Sequence, residues 1–239
     1  MSSNFTIRLY VDSTSAGDLL TSIAAGIQSH GWTYDEIYPG MYTINEEFDY
    51  ATTDDGLEPD AGSLEDGIQT VAGVGVGSIC LSQELEGSIR GLRIFLRNPE
   101  FVTPEDGSDP GSVRAVDLVT SFRYVLAHES VMLHFLELLV TLVRDIDPEL
   151  AFAGSEFKIP YVTHTELQTA PVRIAPCTYF GPTASDYMGR DHLVSAPARL
   201  VKYVSDGILL VACPTYAGGC YEVEDSIAEH LGVEFFDEW

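Results

Sequence analysis

Two hydrophobic rhythms alternate along this chain. Phe5, Ile7, Leu9 and Val11 alternate with Thr6, Arg8 and Tyr10, the two-residue period of a half-buried strand. Leu19, Leu20, Ile23, Ala24 and Ile27 then recur at helical spacing behind Ser15 and Asp18 and run out near Gly31. That spacing predicts a helix with a serine cap and an acid in its first turn. Residues 32–38 read as a second strand stopped by Pro39-Gly40, so the chain is expected to open β-α-β.

Residues 40–63 are rich in Asp, Glu, Thr and Tyr and read as a long irregular excursion. A short helix is expected over 64–71, capped by Ser63, with Glu65 and Asp66 in its first turn. Residues 74–82 and 91–97 read as two strands, the second on the alternation of Leu92, Ile94 and Leu96. Three prolines make 98–112 a loop. Residues 113–126 alternate as a long strand pairing with 91–97, a helix being the alternative. The strongest helix is 130–146, whose polar members His134, Glu137, Thr141, Arg144 and Asp145 fall on one narrow stripe. Such a helix packs on more than one side and meets water along that edge. It stops at Asp147-Pro148, and 150–153 form a short extended piece.

The remainder reads as a strand over 172–180, one or two short helices over 181–193, a hairpin of 198–204 with 207–213, and a last helix over 222–231. Asp206-Gly207 is the tight-turn pair of that hairpin. Strands in hairpins with a few packed helices predict an α+β fold with a mixed, largely antiparallel sheet. One domain over 1–239 is expected, with 40–63 as the only weak boundary.

Charge changes the picture. Asp and Glu number 37 against 12 Lys and Arg, for a net charge of -25, and only Lys158 and Lys202 are lysines. Self-repulsion on that scale opposes compaction, so the composition points to a salt-rich cytoplasm, where screening removes most of it. The acids are spread along the chain beside 45% hydrophobic residues, which argues against a disordered acidic tail. A surface this acidic disfavours nucleic acid, whose affinity is built from Lys and Arg contacts. The N-terminus lacks the basic and apolar segments of a signal peptide, and the apolar run 131–143 is too short to span a bilayer. A soluble, cytoplasmic protein is the expectation, with no membrane partner. Cys80, Cys177, Cys213 and Cys220 include no C-x-x-C pair, so they are expected reduced rather than in a zinc ribbon.

Catalytic signals are faint. His128-Glu129 is followed by the next His only at 134, so H-E-x-x-H is absent and the two imidazoles point to different sides of a helix. His134 and Glu137 share a face and are the metal-ligand candidates, weighed below a hydrogen-bonded polar stripe. Gly73, Gly75 and Gly77 match neither phosphate-loop pattern and read as packing glycines. Ser78 and Ser195 lack the G-x-S-x-G elbow, although His192 is close enough to Ser195 to bond locally. Neither catalytic residues nor a cofactor is assigned. The competing reading is a hydrolase or metal-dependent enzyme that gathers His134, Glu137, His164 and His192 through the fold.

Residues 147–154 (Asp-Pro-Glu-Leu-Ala-Phe-Ala-Gly), Tyr179-Phe180-Gly181-Pro182, Met188-Gly189-Arg190, Leu193 through Ala198 and 206–211 occur in a recognisable order. Over about residues 145–213 the chain resembles immunity-protein-like α+β domains of bacteria and archaea, in a halophilic version. The resemblance implies a non-catalytic protein that binds a partner, typically a cognate toxin, through an acidic and aromatic surface. Phe-Gly-Pro and Ser-Ala-Pro-Ala read as turn and packing elements.

Overall fold

The alternation of Phe5, Ile7, Leu9 and Val11 belongs to β1 (Asn4–Asp12), which lies inside a nine-stranded sheet. The computed structural model describes residues 4–12, 15–34, 41–43, 62–97, 113–121, 125, 129–155, 159–169, 171, 173–212 and 221–235. Across the sheet the order is β2 (Met41–Thr43), β3 (Gly77–Leu85), β4 (Ser88–Leu96), β5 (Val113–Ser121), β1, β6 (Leu150–Ser155), β8 (Cys177–Phe180), β10 (Gly207–Val211) and β9 (Leu200–Val204). Every neighbouring pair is antiparallel. A separate parallel pair joins β7 (Arg173–Ile174) to β11 (Glu234–Phe235). Seven helices accompany the strands among the described residues: α1 (Ala16–Ser29), α2 (Leu64–Val74), α3 (Glu129–Ile146), α4 (His164–Gln168), α5 (Pro182–Met188), α6 (Arg190–Val194) and α7 (Tyr221–Leu231). The fold is α+β.

Two cores lie on the two faces of the sheet. Phe5, Ile7 and Leu9 of β1, with Ala151 of β6 and Leu209 of β10, meet the buried faces of α1, α2 and α3. Tyr10, Phe152, Phe180 and Ile208 point the other way and meet Leu167, Ala184, Leu193 and Ile227 of α4 to α7. Successive strand residues face opposite sides, so each of these strands serves both cores. β1 is therefore buried on both faces and not half-buried: even Thr6 and Arg8 are within it.

Local chemistry sets the helix ends. Ser15 Oγ accepts the Asp18 amide at 3.2 Å to start α1, and Ser63 with Asp66 forms a reciprocal capping box on α2. α1 and α3 approach closely at Gly26, where a Cβ would stand 3.0 Å from Leu142. Gly75 ends α2 in the left-handed conformation with φ 84°, so the alternating glycines turn a helix into β3. At Phe-Gly-Pro, a Cβ on Gly181 would stand 2.6 Å from the carbonyl oxygens of Pro148 and Glu149, and Pro182 occupies the start of α5.

Several expectations shift. Thr33 makes only an isolated bridge to Ser82, so 32–34 are not a strand, and 35–38 lie outside the described residues. The 40–63 excursion contains β2, and its residues 44–61 lie outside them too, as does the 98–112 loop. The expected strand at 172–180 is split into β7 and β8, because Thr178 Oγ1 both donates to the Ala175 carbonyl and accepts its amide, folding the chain at Ala175-Pro176. In the β9–β10 hairpin the turn residues are Ser205-Asp206, with Ser205 at φ 51°, and Gly207 already pairs with Val204. Glycine is needed at 207 for space: a Cβ would collide with the Tyr179 hydroxyl and the Phe180 carbonyl.

Candidate functional site

Three places collect polar side chains against structured surroundings. The first is an open trough of about 480 Å³ on the first face of the sheet, between α3 and β9. Leu133, Leu136, Glu137 and Val140 form its α3 wall, Leu200 and Lys202 of β9 stand opposite, and Leu209 and Val211 of β10 make the floor. Met132 and Leu136 beside it on α3 are buried, yet Leu133 itself is 44% exposed and Leu200 40% exposed. The water-facing edge of α3 is thus not the purely polar stripe that its periodicity suggested.

Both metal candidates border this region. His134 turns to α1, where its ring meets His30 edge-on with centroids 5.5 Å apart, while His30 Nε2 lies 2.9 Å from Thr141 Oγ1. The buried His134 Nε2 has no hydrogen-bond partner among the described residues. Burial first, and the neighbouring His30 second, hold the His134 imidazolium below its ordinary pKa, against a smaller opposing pull from Glu137. Glu137 lies exposed on the trough wall. No group of three or more His, Cys, Asp or Glu able to hold a metal forms among the described residues.

The second place joins α6 to α7. His192 stacks on His230 with centroids 4.4 Å apart, and Ser195 Oγ lies 3.3 Å from His230 Nε2. This Ser–His contact is not a nucleophile–base pair. His230 Nε2 also sits 3.0 Å from the His192 carbonyl oxygen, which can only accept, so that nitrogen carries the proton and has no lone pair for the serine. The Ser195 hydroxyl donates to the same carbonyl at 3.0 Å. Ser195 thus closes the end of α6 locally.

The four residues of the enzyme reading are not gathered. His134 and Glu137 sit on α3 against the first core, and His192 sits on α6 against the second, with the sheet between them. His164 opens α4, and its side chain lies outside the described residues.

The third place escaped sequence reasoning. Asp117 on β5 is fully buried and accepts from Arg8 of β1 and from Arg97 just beyond β4. The Arg8 guanidinium also donates to the Pro160 carbonyl at 3.3 Å and lies 4.4 Å over the Tyr161 ring centroid. Tyr10, its phenol pushed up to about 12 by burial, bridges from the Pro160 carbonyl to the Val162 amide. Two cations and one anion thus tie three strands to the segment before α4. The available signal was Arg8 and Asp117 inside otherwise apolar strands, where an ionic residue needs a partner.

Cys80 and Cys177 are free thiols, and burial raises Cys177 to about 12, which removes its nucleophilic thiolate at neutral pH. Cys213 and Cys220 lie outside the described residues.

No described helix is long and apolar enough to cross a membrane. No family model matches the chain, and no curated protein matches it. Among solved structures it is similar to the Pseudomonas aeruginosa T6SS protein PA0821, at 12% identity and a TM-score of 0.58, over 98% of this chain and 73% of that one. At that identity the likeness is one of fold.

Proposed function

We propose that this chain is a non-catalytic, protein-binding factor of the immunity type that acts on a basic protein partner in a salt-rich cytoplasm. The observation that carries the reading is the fold likeness to a T6SS protein across 98% of the chain. It agrees with the resemblance to immunity-protein-like domains over 145–213, which was drawn from local sequence alone. Charge supplies the partner class. Apart from Asp117, Glu149, Glu166 and Glu224, every described Asp and Glu is exposed, and an acidic surface steers and orients a basic partner.

The geometry of Ser195 and His230, and the placement of His134 and His192 on opposite sides of the sheet, give the hydrolase reading no support. The test is affinity capture of the tagged chain from native extract at molar KCl, followed by co-expression of the captured protein with and without this chain. The expected result is one stoichiometric basic protein whose toxicity the chain suppresses. Recovery of the chain alone, or a captured protein whose effect on growth is unchanged by the chain, overturns the proposal.

A further inference from the structure

We infer that the contact between His30 and His134 is a proton-operated latch: two neutral imidazoles hold the end of α1 against α3, and protonation of His134 lets that end come away from the first core. The latch concerns the chain alone and stands whether or not the partner-binding reading holds.

His30 is where α1 ends, and two other elements hold it there. Its carbonyl accepts Gln83 Nε2 of β3 at 2.9 Å, its own Nε2 lies 2.9 Å from Thr141 Oγ1 of α3, and its ring meets the His134 ring edge-on at 5.5 Å. The chain then turns at Gly31, with φ 86°, and is tied to β3 by the antiparallel Thr33–Ser82 bridge. That bridge sets buried Trp32 opposite Gln83, which pairs in turn with Arg90 of β4. Trp32 and His134 both lie against Phe135, with ring centroids 6.1 Å away in each case. The two histidines therefore join α1, α3 and the sheet over one end of the first core.

A proton weakens this junction. His134 Nε2 is buried and has no hydrogen-bond partner among the described residues, and Gln83 Oε1, an acceptor on the strand below, has none either, so the two atoms do not meet. A second ring proton on His134 places a charge with no acceptor at Nε2, beside the ring of His30. The charged and titratable groups on the described elements that meet here are His30, Glu137, Arg90 and the Tyr34 phenol; Glu84 points to the other face of the sheet, and Glu86 accepts from Ser130 at the start of α3. Burial first, and His30 second, disfavour the His134 charge, against a smaller pull from Glu137. Once the end of α1 moves away, His134 regains water and its ordinary proton affinity, so acid favours the open form. Solvent reaches the junction through the trough, which His30, Glu137 and Thr141 line.

The test is amide hydrogen exchange of the full chain between pH 7.5 and pH 5.5, expressed as protection relative to the intrinsic rate at each pH, with the His134 ring titrated by NMR in the same buffer. About 2 M KCl screens the surface carboxylates throughout. The His30, Gly31 and Thr33 amides, which bond Ile27, Gln28 and Ser82, are expected to lose protection severalfold. The loss begins near the ordinary histidine pKa of about 6.5, levels off where the folded His134 ring titrates, and has a ceiling of about tenfold at pH 5.5. Amides of β1 are expected to keep their protection. His134→Gln abolishes the pH dependence, and His30→Gln, by removing the neighbouring charge, raises the titration of the His134 ring and shrinks the loss.

Unchanged protection of these amides, or a loss that persists in His134→Gln, overturns the latch. So does an equal loss in β1, because the whole fold then opens, and so does a His134 titration that His30→Gln leaves unmoved. Circular dichroism checks that the variants fold; if His134→Gln does not, wild-type exchange and the His30→Gln titration decide the question.

Discussion

Arg8 and Asp117 face each other directly across β1 and β5 and are joined by two near-parallel hydrogen bonds, Nε to Oδ1 at 2.7 Å and Nη2 to Oδ2 at 2.8 Å. A one-residue slip between the two strands would carry Arg8 into the apolar first core and break both bonds. The pair therefore fixes the register of the central strand, and Arg97 binding the same carboxylate extends the constraint to the end of β4.

Asp117→Asn removes the anion while leaving Arg8 buried, and a buried pair broken on one side costs about 3–5 kcal/mol. Burial alone would raise the Asp117 carboxyl, but the Arg8 and Arg97 guanidiniums hold it below its ordinary value. A carboxyl depressed in the folded state contributes stability that is fully present above its unfolded pKa of about 3.9 and is lost as pH falls through the lower folded value. Urea midpoints measured from pH 7 to pH 2 are expected to show a large deficit for Asp117→Asn at neutral pH that narrows in acid. A deficit constant across that range would show that packing, and not the ion pair, sets the cost.

His134 titrates in the opposite sense. Its folded-state pKa is lowered, first by burial and then by His30, so the unfolded chain binds the proton more readily. Stability is accordingly retained above the unfolded histidine pKa of about 6.5 and falls as pH drops below it, levelling beneath the folded value. His134→Gln is expected to flatten the change in melting temperature between pH 7.5 and pH 5.5. A wild-type slope that survives this substitution unchanged assigns the pH response to another group.

Much of the fold was legible because its signals are local. Ser15, Ser63 and the apolar stripes of α1 and α3 place those helices from a few neighbouring residues each, and alternation places β1, β4 and β5. Pairing across long separations is carried by no local signal. Residues 150–153 read as a short extended piece, yet β6 runs to Ser155 and lies inside the sheet between β1 and β8. Thr178 breaks the expected strand at 172–180 by bonding Ala175, a contact that hydrophobic spacing does not encode. The trough was hidden for a similar reason: Leu133 belongs to the apolar pattern of α3, and only the end of the helical cover near β9 leaves it exposed.

Gly207→Ala tests a glycine needed for space. The added methyl collides with the Tyr179 hydroxyl and the Phe180 carbonyl, between strands whose register is fixed on both sides of β10. Overpacking of this kind costs about 1–3 kcal/mol. The expected outcome is a lower denaturation midpoint with the folded-state far-ultraviolet spectrum retained, and a midpoint equal to wild type would mean that the hairpin shifts freely to make room. The hydroxyl offers partial relief, so Gly207→Ala combined with Tyr179→Phe is expected to recover part of the loss.

Salt dependence follows from where the acids lie. Glu222, Asp225 and Glu229 are exposed on α7 at spacings of three and four residues, which puts like charges side by side on one helix. The ion pairs among the described residues lie elsewhere, with Arg8 and Arg97 on buried Asp117, Arg144 on Asp145, Arg173 on Glu234 and Arg190 on Asp186. At molar salt the Debye length falls to about 3 Å and the repulsion between exposed carboxylates is largely removed, whereas at 0.01 M it reaches about 30 Å and joins charges across the molecule. Circular dichroism is expected to show native structure in about 2 M KCl and progressive loss on dilution of the salt. Hydrogen exchange is expected to report α7 opening before α1 or α3, whose burial does not depend on screening. An equimolar change from KCl to NaCl leaves screening unaltered and is expected to change little. Full native structure in dilute buffer would remove the case for adaptation to a salt-rich cytoplasm and leave the acids to be explained by partner binding alone.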